Sequence, residues 1–452
     1  MTFEEFILLH ENDDPAALLL ARHRYPDIDI DLAATTLEGR RRLRKKVPSW
    51  NAVPSLLYPS RLAAEQCSSE ETALRKATLA RSLTAGPRIA DLTGGMGVDS
   101  WAFSQVFGEV LYNEMNPELA RATEENFGKL GVTNVQFRCK ELVAGDSTDK
   151  PWNDGKSSLP ANAGNLKEIL GDFQPDLIFM DPARRAEDGR KVFRLADCQP
   201  DVLTLLPELM DACPDLLLKL SPMADITQLS RELPGLKAVT VVGAAGECKE
   251  LLLHLRRGYE GSFSLTVCEN GTALAFDPAT RLQPEVAERA FSCKREEENS
   301  HFPENSRRVC SQTLAEAGFC ANAQTAAENL LFEPGKALAK AGVFKELERR
   351  YGLQALGASS HLYTGASIPE ELLPFGKVFT IEDVLPLCKE TFRALKKRIP
   401  AAEITARGIP MSSDELRRRL GMASGGTHHL FGVHADHEGN LLLVCSTPRK
   451  QE

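Results

Sequence analysis

The sequence predicts a doubly wound α/β domain with a seven-stranded sheet, preceded by a helical domain and followed by small α+β domains. Three observations lead there. Short β-rich runs alternate with helical stretches from Pro87 onward. The first run ends in an acid and breaks into three glycines, IADLTGGMGVDS (89–100), a strand passing through a tight turn into a helix. Before residue 85 the apolar positions recur at helical spacing only. At 452 residues the chain exceeds one ordinary core, and its 42% hydrophobic and 26% charged composition is that of a soluble globular protein.

In chain order, FEEFILLHEN, PAALLLARHRYP and EETALRKATLARSL read as helices of a domain over 1–85, with the proline-punctuated VPSWNAVPSLLYPS between them extended or turned. The sheet domain spans 86–277. Its strands are expected at 88–92, 109–115, 135–139, 176–181, 216–221, 238–243 and 262–268, with ECKELLLHL (247–255) as a helix before the last strand. The polar stretch 144–165 reads as an insertion loop, and 292–308 as a surface turn or linker. A small α+β region over 278–375 and a last one over 376–452 complete the chain. In the last, THHLFGVHADHEG reads as a hairpin, FGV then NLLLVC. Its four histidines meet no cysteine or second cluster, so no metal is expected.

No apolar run reaches the roughly 18 residues of a membrane span. The acidic start, MTFEEFILLHENDD, is unlike a signal peptide, so a cytoplasmic location is expected. The eleven cysteines form no C-x-x-C pair and read as free thiols. The net charge of −9 argues against wholesale coating of nucleic acid. Basic residues are nevertheless clumped at RRRLRKK (40–46), 396–398 and 417–419, either as solvated helix faces or as patches for RNA phosphates.

The strand-to-helix turn places Asp91, Gly94, Gly95 and Gly97 where backbone N–H groups meet a cofactor, either the pyrophosphate of a dinucleotide or the carboxylate of S-adenosylmethionine. Glu114 closes the second strand 23 residues after Asp91, the position of a ribose-binding acid in both cofactor classes. Asp146, in the insertion, is a candidate for the adenine amine. The fourth strand ends in Asp181-Pro182-Ala183-Arg184-Arg185 at the carboxyl edge of the sheet, where doubly wound folds hold substrates. Lys219 and Ser221, at the tip of the fifth strand, face the same crevice and join Arg185 as candidate substrate-binding residues. A sheet closed by an inserted last strand favours methyl transfer, and hydride transfer has no comparable anchor.

DLTGGMGVD, the acid of NEMNP, DLIFMDPARR and EQCSSEETALRKA (65–77) together resemble Rossmann-like class I S-adenosylmethionine-dependent methyltransferases with a THUMP-like C-terminal domain, a bacterial family with an additional ferredoxin-like domain. The resemblance covers most of the chain. It implies S-adenosylmethionine as cofactor and RNA, rRNA or tRNA, as substrate. In amino-methyltransferases an Asp or Asn oxygen and the next backbone carbonyl accept the two hydrogens of an exocyclic amine. Asp181 and the Pro182 carbonyl match that arrangement, and transfer then needs positioning rather than a strong base. Ala183 stands where a second proline is usual and Arg184 where an aromatic would stack on the base; an arginine plane can stack or hold a phosphate. No Pro-Cys dipeptide supplies a nucleophile for C5 chemistry. A base amine is the expected target, and a non-catalytic RNA-binding protein that kept the fold is the alternative.

Overall fold

The computed structural model describes residues 1–145, 163–184, 195–280, 330–436 and 439–446. The chain forms two compact units, Met1–Thr240 with Glu250–Phe263, and Val241–Lys249 with Ser264–Glu452.

The first unit opens with α1 (Phe3–Leu9), α2 (Pro15–Leu20), α3 (Ile30–Leu43), α4 (Pro48–Asn51), α5 (Arg61–Gln66) and α6 (Glu70–Leu83). Their starts follow from capping side chains: Thr2 forms a capping box with Glu5, and the Asp29, Ser60 and Ser69 side chains accept the early backbone N–H groups of α3, α5 and α6. Phe6, Ile7, Leu18, Ile30, Ala33 and Leu37 bury one small core among α1, α2 and α3.

Seven strands of a nine-stranded sheet follow, β1 (Arg88–Asp91), β2 (Glu109–Asn113), β3 (Val135–Arg138), β4 (Leu177–Met180), β5 (Asp215–Leu220), β6 (Leu236–Ala244) and β7 (Glu247–Arg256), in the order β6-β7-β5-β4-β1-β2-β3. The first five are mutually parallel and β7 runs antiparallel to β5, with Leu251 opposite Leu220. Helices α7 (Val98–Ser104), α8 (Pro117–Lys129), α9 (Leu166–Leu170), α10 (Val202–Ala212) and α11 (Ile226–Glu232) fill the crossovers. The chain direction across the sheet reverses at β1, which lies between β2 and β4. In doubly wound sheets that switch point, outside the carboxyl ends of the strands, is where ligands bind.

One expectation changes. ECKELLLHL is strand β7, not a helix, and β7 is the strand inserted between β5 and β6. Residues 250–255 are buried without a break, and a short run buried on both faces has no period to tell strand from helix. SFSLTVC supplies β8 (Ser264–Glu269), which lies beside the sixth strand as expected, in the same nine-stranded sheet, and pairs antiparallel with the edge strand β9 (Thr272–Phe276).

The second unit also holds a seven-stranded sheet of β10 (Leu330–Pro334), β11 (Gln354–Ala355), β12 (Tyr363–Gly365), β13 (Gly376–Pro386), β14 (Ala401–Arg407), β15 (Ala423–Ala435) and β16 (Gly439–Ser446), ordered β11-β12-β10-β13-β16-β15-β14. Helices α12 (Lys336–Ala341) and α13 (Phe344–Tyr351) follow β10, α14 (Lys389–Arg398) follows β13, and α15 (Ser413–Leu420) makes the crossover between parallel β14 and β15. Leu395, Leu416 and Leu420 from α14 and α15 pack on Ile404, Leu430 and Val444, while Phe379, Phe431 and Leu443 form a second core cluster. The histidine-rich segment is the β15–β16 hairpin.

Candidate active site

At the carboxyl end of β1 the chain turns through Gly94, Gly95 and Gly97 into α7. A Cβ on Gly94 would lie 2.2 Å from the ring of buried Tyr112, and one on Gly97, at φ +81°, 2.5 Å from Thr123. Both glycines are therefore required by close packing against β2 and α8. Gly95 has φ +55° and open space where its Cβ would stand, so its backbone is bare on that side. The Gly95 N–H donates to Glu114 Oε2 at 2.9 Å, and the Tyr112 hydroxyl donates to the Gly95 carbonyl at 2.6 Å. Glu114 Oε1 accepts from the Asn116 N–H at 2.8 Å. Each Glu114 oxygen thus accepts one backbone hydrogen bond, and a carboxylate has about four acceptor positions.

Asp91 lies beneath this turn at 1% exposure. It accepts from the Thr93 N–H at 3.1 Å and from the Ser100 hydroxyl. Burial pushes its pKa up to about 7; the charges of Asp99 and Asp181 add to the rise, and the Ser100 and Thr93 hydrogen bonds offset part of it. Asp91 is an internal brace of the loop and not a group on its surface.

Asp181 follows β4 directly, its N–H donating to Thr93 Oγ1 at 2.6 Å, which fixes it against the glycine turn. Its carboxylate is ion-paired to Lys219 of β5, with the Asp181 side chain 36% exposed and that of Lys219 13%. Burial works against the Lys219 charge, but Asp181, Asp99 and Glu250 outweigh it and hold the ammonium well above the usual lysine range. Pro182 is buried, the Ala183–Arg184 backbone pairs with Cys198–Gln199, and the Ser221 hydroxyl accepts from the Met223 N–H at 3.3 Å. Asp146 and Arg185 lie outside the described residues.

Four side chains absent from the sequence expectations complete the site. Lys76 of α6 is fully buried, 3.1 Å from Asp99 Oδ1, 3.1 Å from each Glu250 oxygen and 2.8 Å from the Ser68 hydroxyl. Ser68 in turn donates to Asp99 Oδ2 at 2.8 Å. The motif EQCSSEETALRKA is thereby explained: Ser68 and Lys76 tie α6 to the start of α7 and to β7. Glu250 hides within the apolar run of β7, and Asp99 at the end of DLTGGMGVD, a motif whose glycines carried the expectation. Three carboxylates, Asp99, Asp181 and Glu250, thus stand with two ammonium groups, Lys76 and Lys219, while Asp91 beneath them holds its proton up to about pH 7. That surplus of negative charge suits a cationic ligand and opposes a pyrophosphate.

The basic runs are largely spent on structure. Arg40 donates to the Asn51 and Val53 carbonyls, Arg41 to those of Glu11 and Asp13, and Lys46 to those of Ala64 and Glu65. Arg398 pairs with Asp383, Arg417 with Glu403 and Arg419 with Glu415. Arg44, Lys45, Lys397 and Arg418 stay exposed. In the hairpin, His429 bonds Thr405 and stacks on Phe431, and His434 bonds Asn440; His437 lies outside the described residues. Among the described residues no group of three or more His, Cys, Asp or Glu could hold a metal ion, and no helix is long and apolar enough to cross a membrane.

Residues 376–447 match the model of a THUMP domain-like family, and 330–372 that of a ferredoxin-like domain. A solved structure described as a "putative methyltransferase from Porphyromonas gingivalis W83" is similar at 28% identity and a TM-score of 0.74, over 99% of this chain and 98% of that one. TrmN from Thermus thermophilus is matched at 16% identity and a TM-score of 0.30, over 43% of this chain and 51% of that one. The ribosomal protein L11 methylase from Lactobacillus delbrueckii subsp. bulgaricus is matched at 15% and 0.26, over 42% and 77%. None of the curated proteins matches the chain. The first unit has the fold of class I methyltransferases, and the chain joins it to ferredoxin-like and THUMP-like segments.

Proposed function

We propose that this chain is an S-adenosylmethionine-dependent methyltransferase acting on RNA. The observation that carries the reading is the cluster at the switch point, where a glycine turn and Glu114 stand beside a carboxylate-rich site. S-adenosylmethionine supplies an electrophilic methyl group on a positively charged sulfonium. The residues present fit it: Glu114 retains acceptor positions for ribose hydroxyls, Gly95 leaves open space where a side chain would stand, and the surplus carboxylate favours the cation. Asp91 serves that reading from below, by fixing the turn through Thr93 and Ser100. RNA is favoured because the THUMP-like segment stands on the same chain, and Lys397 and Arg418 are exposed there as candidate phosphate contacts. Asp181, Pro182 and Lys219 are the groups that meet the acceptor. For a base amine, Asp181 keeps acceptor positions beside Lys219 and would share the two hydrogens with the Pro182 carbonyl.

The test is transfer of labelled methyl from S-adenosylmethionine to total RNA from a strain lacking the gene. Label in RNA supports the reading. Binding of S-adenosylhomocysteine and RNA without any transfer overturns it in favour of a non-catalytic RNA-binding protein.

A further inference from the structure

We propose that the acceptor is a hydroxyl, the ribose 2′-hydroxyl of an RNA nucleotide, met by Asp181 and Lys219 together. This rests on the RNA methyltransferase reading and names the atom it acts on.

The pairing of Asp181 with Lys219 puts one acceptor and one donor side by side at the mouth of the site. A hydroxyl matches that pair: it has one hydrogen for the Asp181 carboxylate and two lone pairs, one to accept from the Lys219 ammonium and one to attack. An exocyclic amine presents two donor hydrogens and one lone pair, which is consumed in the attack. Asp181 and the Pro182 carbonyl can take its two hydrogens, but the Lys219 ammonium is then left with no acceptor on it. The chemistry differs in the same direction. An amine can shed its proton after the methyl has transferred, whereas a hydroxyl must surrender its proton as it reacts and needs a proton acceptor in reach. RNA offers the 2′-hydroxyl at every nucleotide whatever its base.

Behind the Asp181–Lys219 pair stands a second one, buried Lys76 with Glu250, 0% and 5% exposed. Glu250 and Asp99 bear on the charge of Lys219 as well as on Lys76. α6, β4, β5 and β7 thus each bring one member of a lysine–carboxylate foursome to one place. Lys76 and Glu250 are positioning residues, and Asp181 and Lys219 are the catalytic ones. In the step, an oxygen lone pair forms the O–C bond to the sulfonium methyl while the C–S bond breaks with its pair left on sulfur. The hydroxyl proton passes to the Asp181 carboxylate and leaves to water through its exposed side.

The experiment uses the full-length protein, S-adenosylmethionine with a deuterated methyl, and total RNA from a strain lacking the gene, followed by mass spectrometry of the nucleosides. Deuterium on the ribose fragment is expected. Deuterium on a base fragment overturns the inference and leaves the methyltransferase reading standing; no deuterium in RNA overturns both. Asp181→Asn and Lys219→Met should each slow transfer by at least roughly 100-fold, with S-adenosylhomocysteine affinity by calorimetry unchanged. Wild-type transfer by folded Lys219→Met also overturns the inference.

Discussion

Replacing Asp91 with asparagine tests the packing beneath the glycine turn. In the folded protein Asp91 keeps its proton up to about pH 7, against 3.8 for an ordinary aspartate, because the site is fully buried. Between those values the folded state binds a proton that the unfolded chain has released. Stability therefore falls as pH rises through that window, and is flat below and above it. At 1.36 kcal/mol per pKa unit, a rise of about three units makes the ionised carboxylate about 4 kcal/mol unfavourable in the fold. The asparagine side chain has nearly the same shape, its oxygen can accept from the Thr93 N–H, and the Ser100 hydroxyl can turn to accept from its amide. Asp91→Asn should then be close to wild type near pH 4, and more stable than wild type by about 4 kcal/mol above pH 7. Urea unfolding of both proteins across pH 4–8 measures the difference directly. A difference that is constant with pH, or that moves against the variant as pH rises, refutes a buried, proton-holding Asp91.

Glu114→Ala removes the acceptor proposed for the ribose and should weaken S-adenosylhomocysteine binding by about 1.5–3 kcal/mol in calorimetry; wild-type affinity in a folded variant counts against the assignment. Gly94→Ala sets a methyl 2.2 Å from the Tyr112 ring, so it should cost about 1–3 kcal/mol of stability and weaken cofactor binding with it, read by thermal melts and calorimetry. Reversing the charge at Lys397 and Arg418 together should reduce the slope of log K against log salt for RNA by about 2, while an unchanged slope returns both to a solvated surface.

Much of the first unit could be read from the chain. Each of the first five strands is a short apolar run placed before a helix-forming stretch, and the acids at 91, 114 and 181 close the strands that flank the switch point. β7 escaped because Glu250-Leu-Leu-Leu-His-Leu is buried on both faces, and leucine favours helices where periodicity does not decide. Its two buried polar residues find their partners only in three dimensions, Glu250 against Lys76 and His254 against Asp215 at 2.7 Å. Lys76 was illegible for the same reason: 174 residues separate it from Glu250, and within EETALRKATLARSL it looks like one more charge on a helix surface. RRRLRKK misled in the opposite sense, since a basic run does not reveal that Arg40, Arg41 and Lys46 terminate carbonyls of neighbouring turns.

A crystal structure with S-adenosylhomocysteine would fix where the cofactor lies against the Gly94–Gly97 turn. The ribose hydroxyls should lie within hydrogen-bond distance of the Glu114 carboxylate, and the sulfur should face Asp181 and Lys219. A ligand bound away from the Gly94–Gly97 turn, or a sulfur turned from that pair, would contradict the account.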